Sequence, residues 1–273
     1  MTTTHIPLTP TFGVEIAGLD LTAPIGAAVA DELREAYRNH RLLLVRGALP
    51  SAEDQARFGR VFGEIRIREH NLVKPPSDSM QHVSNVLADG VFGRGDLSFH
   101  MDQLFFQQPL SGLILCAVEV PEHGGDTCFC DTSEALAAMP RSLLERIENL
   151  TCRTSRAYDD ETARRYNVSN APHTIVSSTH RMIWTEPETG RRVLWCGRPE
   201  LTKIVGLDAA ESDALVRDVL RYVDTCAAVY RHRWHPGDLV LWNNRTLFHA
   251  RTPYDENMPR TLRRTPLLDL AAA

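Results

Sequence analysis

The sequence predicts a mixed, β-rich fold, a barrel or jelly roll with flanking α-helices. Two observations carry that expectation. Short apolar stretches separated by turn residues fill the centre and last third of the chain, and the regular strand–helix alternation of a doubly wound sheet is missing. Neither GxGxxG nor GxxxxGK(S/T) occurs, so the usual phosphate-cradling loops are excluded.

The elements follow in chain order. Residues 27–40 (AAVADELREAYRNH) have helical periodicity, and RLLLVRG (41–47) reads as a buried strand. Ser51, with Asp54 three residues on, forms a capping box for a helix through about Gly63. MQHVSNV (80–86) and SGLILCAVEV (111–120) are strand candidates. GGDTCFCD (124–131) opens on two turn glycines and becomes extended. PRSLLERIENL (140–150) is helical, with proline at its start. Residues 155–180 are polar and irregular, which predicts a functional or mobile loop, a lid insertion. Asp208 with Glu211 caps an amphipathic helix to about Thr225. VYRHRW, LVLWNN and RTLRRTPLL then alternate with turns. No repeat or linker divides the chain, so residues 1–273 read as one domain.

Composition narrows the function classes. With 43% apolar residues the chain can bury a large core. A net charge of −5 and the lack of a basic tail argue against a nucleic-acid partner. No run approaches the roughly 18 apolar residues that cross a bilayer, and no signal-peptide pattern opens the chain. A soluble, cytoplasmic protein is expected. The six cysteines contain no CxxC pair, so neither disulfides nor a structural zinc site is expected. Cys128 and Cys130 read as small packing residues.

The stretch DLSFHMDQLFF (96–106) holds a histidine and an aspartate two apart in an apolar setting. On a strand, alternate residues share a face, so His100 and Asp102 point the same way. Two histidines and a carboxylate on one face suit iron and leave coordination positions open for chemistry. The H-x-D spacing alone is weak, because about one or two such matches arise by chance in a chain of this composition. A third ligand must come from elsewhere. His249, in GDLVLWNNRTLFHA, is placed to face a barrel interior, and it reads equally as a satisfied core histidine. His232 and His235 are the rival pair. Near the C-terminus Arg260, Leu262 and Arg264 share one strand face. Either the two arginines face inward and meet anions, or they lie on an edge strand with their heads in solvent. Thr127 fits an ordinary strand position.

Taken together, HMD, GGDT, WNNRTLFHA and the paired arginines resemble the TauD/TfdA family of iron(II)- and 2-oxoglutarate-dependent dioxygenases. GVEIAGLDLTAPI (13–25), HRLLLVRG and FGRVFGEI (58–65) extend the likeness over nearly the whole chain. Thr127 lies 27 residues after His100, and the arginines lie 11 and 15 after His249, as in that family. The resemblance implies a double-stranded β-helix. It implies His100, Asp102 and His249 as ligands of Fe(II), with O2 and 2-oxoglutarate as co-substrates. Thr127 and Arg260 would hold the distal carboxylate of 2-oxoglutarate, and Arg264 the anionic group of the prime substrate. That substrate would be a small or medium carboxylate, amino acid or sulfonate, most simply hydroxylated. Desaturation or cyclisation by the same cofactor chemistry is the alternative, followed by a non-catalytic 2-oxoglutarate-binding protein. A dimer or tetramer is the expected assembly.

The chain departs from the taurine enzyme at several places. Arg68 or His70 stands near its sulfonate-binding histidine, and Asp96 replaces an asparagine, so these three are candidate substrate contacts. Trp184 and Trp195 are expected to alter the pocket wall. Taurine is thereby disfavoured as substrate.

Overall fold

The computed structural model describes residues 3–66, 80–88, 90–157, 175–198, 201–226 and 228–270. Its first elements are β1 (Thr4–Pro7), β2 (Val14–Ala17), α1 (Ala27–His40), β3 (Leu42–Val45), α2 (Ala52–Gly59) and β4 (Glu64–Ile65). Next come β5 (Gln81–Ser84), β6 (Val91–Phe92), β7 (Leu97–His100), β8 (Gly112–Glu119), β9 (Thr127–Asp131), α3 (Thr132–Ala137) and α4 (Arg141–Ile147). The strands β10 (Thr151–Ala157), β11 (Ile175–Arg181), β12 (Ile183–Thr185), β13 (Arg192–Leu194) and β14 (Thr202–Ile204) lead to α5 (Ala209–Asp224). The chain closes with β15 (Val229–His232), β16 (Leu239–Asn243), β17 (Leu247–Arg251) and β18 (Thr261–Leu268).

Two sheets enclose the site. The larger runs β1-β2-β3-β16-β8-β18-β5-β6, with β4 also on β18. The smaller runs β15-β9-β17-β7. Their facing side chains make one core: Leu42, Leu113, Val240 and Leu262 from the large sheet meet Phe129 and Leu247 from the small one. The alternate residues of the same large-sheet strands, such as Leu43, Ile114 and Leu241, pack outward with Leu33 of α1 and Phe58 of α2. Both faces of β3, β8 and β16 are therefore buried. That is why they appear in the sequence as unbroken apolar runs rather than alternating ones. The outer side of the small sheet carries Cys130 and Phe248 against Leu215 and Val219 of α5. A jelly-roll fold with flanking helices is the architecture expected.

Local sequence accounts for most boundaries. The α2 capping box is formed on both sides, by the Ser51 side chain and by Asp54. Asp208 caps α5 by accepting from Glu211 N at 2.9 Å. The helix expected to run to Gly63 stops at Gly59. At Gly63 the chain passes so near the end of β18 that an added Cβ would stand 2.1 Å from the Leu268 carbonyl oxygen.

The expected irregular stretch 155–180 is corrected in part. β10 and β11 pair antiparallel from Thr151↔Arg181 to Ala157↔Ile175. Their inward positions are polar, which hid the strand period: Thr154 Oγ1 lies 3.4 Å from Thr202 Oγ1. Ser178 Oγ donates to Leu104 O at 2.8 Å. Residues 158–174, the heart of the expected lid, lie outside the described residues. The short helix α3 was not anticipated; Asp131 caps it and also forms a buried pair with Arg41 at 2.7 Å.

Candidate active site

Strand pairing does the first part of the assembly. β7 and β17 run antiparallel with His249 directly opposite His100. The two imidazole centroids stand 4.2 Å apart. His249 has the same strand parity as the interior residue Leu247, so it faces the barrel rather than α5.

Asp102 arrives differently from the strand argument. β7 ends at His100, and Asp102 lies in the turn that follows, next to Gln103 with φ of 62°. Asn244 fixes that turn. Asp102 N donates to Asn244 Oδ1 at 2.9 Å. Asn244 Nδ2 in turn donates to the carbonyls of Asp102 at 3.0 Å and Leu110 at 3.1 Å. Asn244 was read only as part of a motif. The available signal was an amide between two strands of a core, which must find partners when buried.

The three donor atoms lie within 4.8 Å of one another, the only such group among the described residues. Asp102 Oδ1 is 3.4 Å from His100 Nε2 and 4.0 Å from His249 Nε2. Its other oxygen, Oδ2, accepts from Arg264 Nη2 at 2.6 Å. One oxygen is thus aimed at the histidines and one is held by a guanidinium. His100 Nδ1 lies 2.8 Å from the Ser98 carbonyl, an acceptor that keeps the proton on Nδ1 and the lone pair on Nε2. Burial, with His100 nearby, pushes His249 down to about 3, so it is a neutral imidazole. Burial alone would raise the Asp102 carboxyl. The Arg264 guanidinium and the two histidines outweigh it and hold the group well below the usual range. The neutral His249 imidazole, the His100 ring with Nε2 turned to the cluster and the ionised Asp102 carboxylate together fit a divalent metal of the iron type.

The cluster opens on a cavity of about 350 Å³ lined by Thr127, Arg260 and Arg264 as well as the three ligand candidates. Arg260 is 2% exposed. Its Nε and Nη2 donate to the Gly125 carbonyl at 3.1 and 2.8 Å. Residue 125 has φ of 66°, and a Cβ there would stand 2.8 Å from Arg260 Nε, so glycine is required. Burial lowers Arg260 to about 10, which leaves it cationic at neutral pH. Thr127 Oγ1 accepts from Trp234 Nε1 at 3.0 Å. Leu97, Met101, Leu104, Phe105 and Trp242 supply the apolar wall, and Arg156 and Arg198 also line the cavity.

The other expectations fare variously. Arg260 and Arg264 share the inward face as predicted, while Arg263 turns to Pro50 O and Cys116 Sγ. Both terminal nitrogens of Arg264 are engaged, Nη2 by Asp102 and Nη1 by Gln81 Oε1 at 2.7 Å. Asp96 is exposed and does not line the cavity. Arg68 and His70 lie outside the described residues. His232 and His235 are not at the cavity; His232 is buried 3.2 Å from Asp238. Trp184 and Trp195 stack on each other at 4.7 Å and stand outside the cavity lining, correcting their expected place in its wall. The indole N–H of Trp195 is drawn away to the Arg245 carbonyl.

Comparison with known proteins gives a consistent picture. The family model described as "Taurine catabolism dioxygenase TauD, TfdA family" matches residues 4–265. The chain is 30% identical to the alpha-ketoglutarate-dependent 2,4-dichlorophenoxyacetate dioxygenase of Cupriavidus pinatubonensis, over 96% of each chain. It is 29% identical to the (S)-phenoxypropionate/alpha-ketoglutarate-dioxygenase of Sphingobium herbicidovorans, covering 94% of this chain and 91% of that one. The crystal structure of AAD-2 in complex with Mn(II) and N-oxalylglycine superposes with a TM-score of 0.79 at 26% identity, over 98% of each chain.

Proposed function

The chain belongs to the TauD/TfdA family, and on that premise we propose that His100, Asp102 and His249 hold the Fe(II) of a 2-oxoglutarate-dependent dioxygenase. The protein is an oxidoreductase of that class acting on a small molecule. The observation that carries the site assignment is the convergence of those three donors, within 4.8 Å, on a cavity. Bound iron with 2-oxoglutarate and dioxygen supplies oxidative decarboxylation to succinate and carbon dioxide, coupled to oxidation of a substrate C–H bond.

The chain's own residues bind, orient and shield. Asp102 would offer the metal Oδ1, which faces the two histidines, because Arg264 already holds Oδ2. Arg260 and Thr127, which both line the cavity, receive the distal carboxylate of 2-oxoglutarate. Gly125 O orients the Arg260 fork toward it. The likeness to a structure solved with N-oxalylglycine, which carries an N–H where 2-oxoglutarate has a methylene, supports a 2-oxoglutarate site in this chain. The apolar wall of Leu97, Leu104, Phe105 and Trp242 excludes water from the substrate side.

The prime substrate is an anion with an apolar body, hydroxylated at a C–H bond. Arginines lining the cavity and the phenoxy-acid relatives support this. A cytoplasmic location and assembly as a dimer or tetramer belong to the same reading. No helix among the described residues is long and apolar enough to cross a membrane.

The test is succinate release by purified protein with Fe(II), ascorbate and a panel of aryloxy, alkyl and amino carboxylates, sulfonates and sulfates. Succinate formation above the metal-free control is expected. Absence of 2-oxoglutarate turnover, coupled or uncoupled, with metal bound would refute it.

A further inference from the structure

The indole of Trp234 donates to the Thr127 hydroxyl. We propose that Trp234 is a positioning residue for the co-substrate: it fixes the rotor of Thr127 so that the Thr127 O–H points at the distal carboxylate of 2-oxoglutarate. The proposal rests on the reading that Thr127 and Arg260 bind that carboxylate.

The argument is one of donors and acceptors. An indole nitrogen can only donate, while a hydroxyl offers one hydrogen and two lone pairs. Trp234 Nε1 lies 3.0 Å from Thr127 Oγ1, so the threonine oxygen accepts. Its own hydrogen must then turn away from the indole, and the residue lines the cavity. Both groups are buried, Trp234 at 5% exposure and Thr127 at 3%, so water does not compete for the contact. A Thr127 hydroxyl without this partner would be free to rotate its lone pairs toward an incoming anion.

Strand pairing brings the two residues near each other. β15 pairs with β9 so that His232 stands opposite Thr127. Two residues beyond the end of β15, Trp234 stands edge-on to the His232 ring at 88°. Trp234 thus belongs to the barrel core and to the co-substrate end at once.

Removing the indole N–H while keeping the ring isolates the effect. With the Mn(II)-loaded protein, Trp234→Phe should weaken N-oxalylglycine binding by about three- to tenfold, the range of one neutral hydrogen bond. Preference for 2-oxoglutarate over 2-oxovalerate, which lacks the distal carboxylate, should fall by a similar factor. A purely structural role would not move that ratio. In a Thr127→Val background the Trp234→Phe change should have no further effect on binding. If Trp234→Phe does not fold, 3-benzothienylalanine at the same position replaces the N–H by sulfur and carries the same test. An unchanged affinity and ratio, or full additivity with Thr127→Val, would overturn the proposal. If instead Arg260→Gln and Thr127→Val leave the ratio intact, the underlying carboxylate assignment fails as well, and the two failures are distinct.

Discussion

Two histidine–aspartate groups draw their histidines from the same four-stranded sheet and differ in their surroundings. His100 and His249, on β7 and β17, share Asp102; His232, on β15, shares Asp238. Around His232 the neighbours are other protein groups, and its Nε2 stands 3.2 Å from Asp238 Oδ2 without a well-aligned hydrogen bond. Its Nδ1 lies 3.0 Å from the Tyr230 hydroxyl. Asp238 receives Arg46 Nη1 and the backbone N–H of His235, each at 3.2 Å. The group does not line the cavity beside His100, and its two side chains are at most 2% exposed. Around Asp102 the arrangement is the reverse. Arg264 and Asn244 hold the aspartate from behind, and the converging atoms are left to one another beside open space. The candidate metal site therefore differs from its counterpart less in residue type than in the cavity its converging atoms face.

That contrast can be broken by substitution. Asp102→Ala should lower Mn(II) affinity by more than the roughly 10- to 100-fold that loss of an outer partner costs. Asp238→Asn should leave it unchanged. Calorimetric titration of both proteins measures this, and equal losses would erase the distinction. Next in size, Arg260→Ala removes a buried charge partner. It should raise the 2-oxoglutarate KM by about 30-fold or more, from a loss of roughly 2–5 kcal/mol, with a smaller change in the substrate KM. The reverse order would exchange the roles of Arg260 and Arg264. Asn244→Ala deletes three hydrogen bonds that set the Asp102 turn. A fall of about 10- to 100-fold in Mn(II) affinity is expected, along with a lower Tm.

The smallest effect concerns pH. Burial depresses His232, only partly offset by Asp238, so its folded pKa lies below the unfolded value. The unfolded chain then takes up the proton first as pH falls. This contribution to stability is present above the ordinary histidine pKa of about 6.5 and is lost below it. Asp238 is lowered too: burial opposes the shift, and the contact with His232 prevails. Its contribution is lost at more acidic pH, in the same direction. The wild-type Tm should decline below about pH 6.5, and His232→Gln should flatten that slope in a scanning-calorimetry series without moving Mn(II) affinity.

The sequence made the frame legible because burial on both faces leaves a plain trace. LLLV, LILCAV and LVLW are strands with no polar alternation, and Ser51 and Asp208 mark helix starts by capping chemistry. Polar strands were harder. β10 and β11 hide inward threonine, serine and histidine that are satisfied by hydrogen bonds, so hydrophobic periodicity could not find them. In the site, His100 and Asp102 were paired for a partly mistaken reason. Their common direction comes from a turn pinned by Asn244, not from the pleat of one strand. His249 could not be chosen over His232 from spacing, since only the β7–β17 register brings it across from His100. Trp234 acts through another residue, and such a role leaves no local signature in a sequence; Asn244 shows only as an amide set in an apolar run.

The most direct test of the central claim is a crystal structure of the Mn(II) and N-oxalylglycine complex, with the metal located by its anomalous scattering. The account predicts one manganese ligated by His100 Nε2, Asp102 Oδ1 and His249 Nε2, with the distal carboxylate of the ligand against Arg260 and Thr127. Manganese bound elsewhere, or bound without His249, would contradict it.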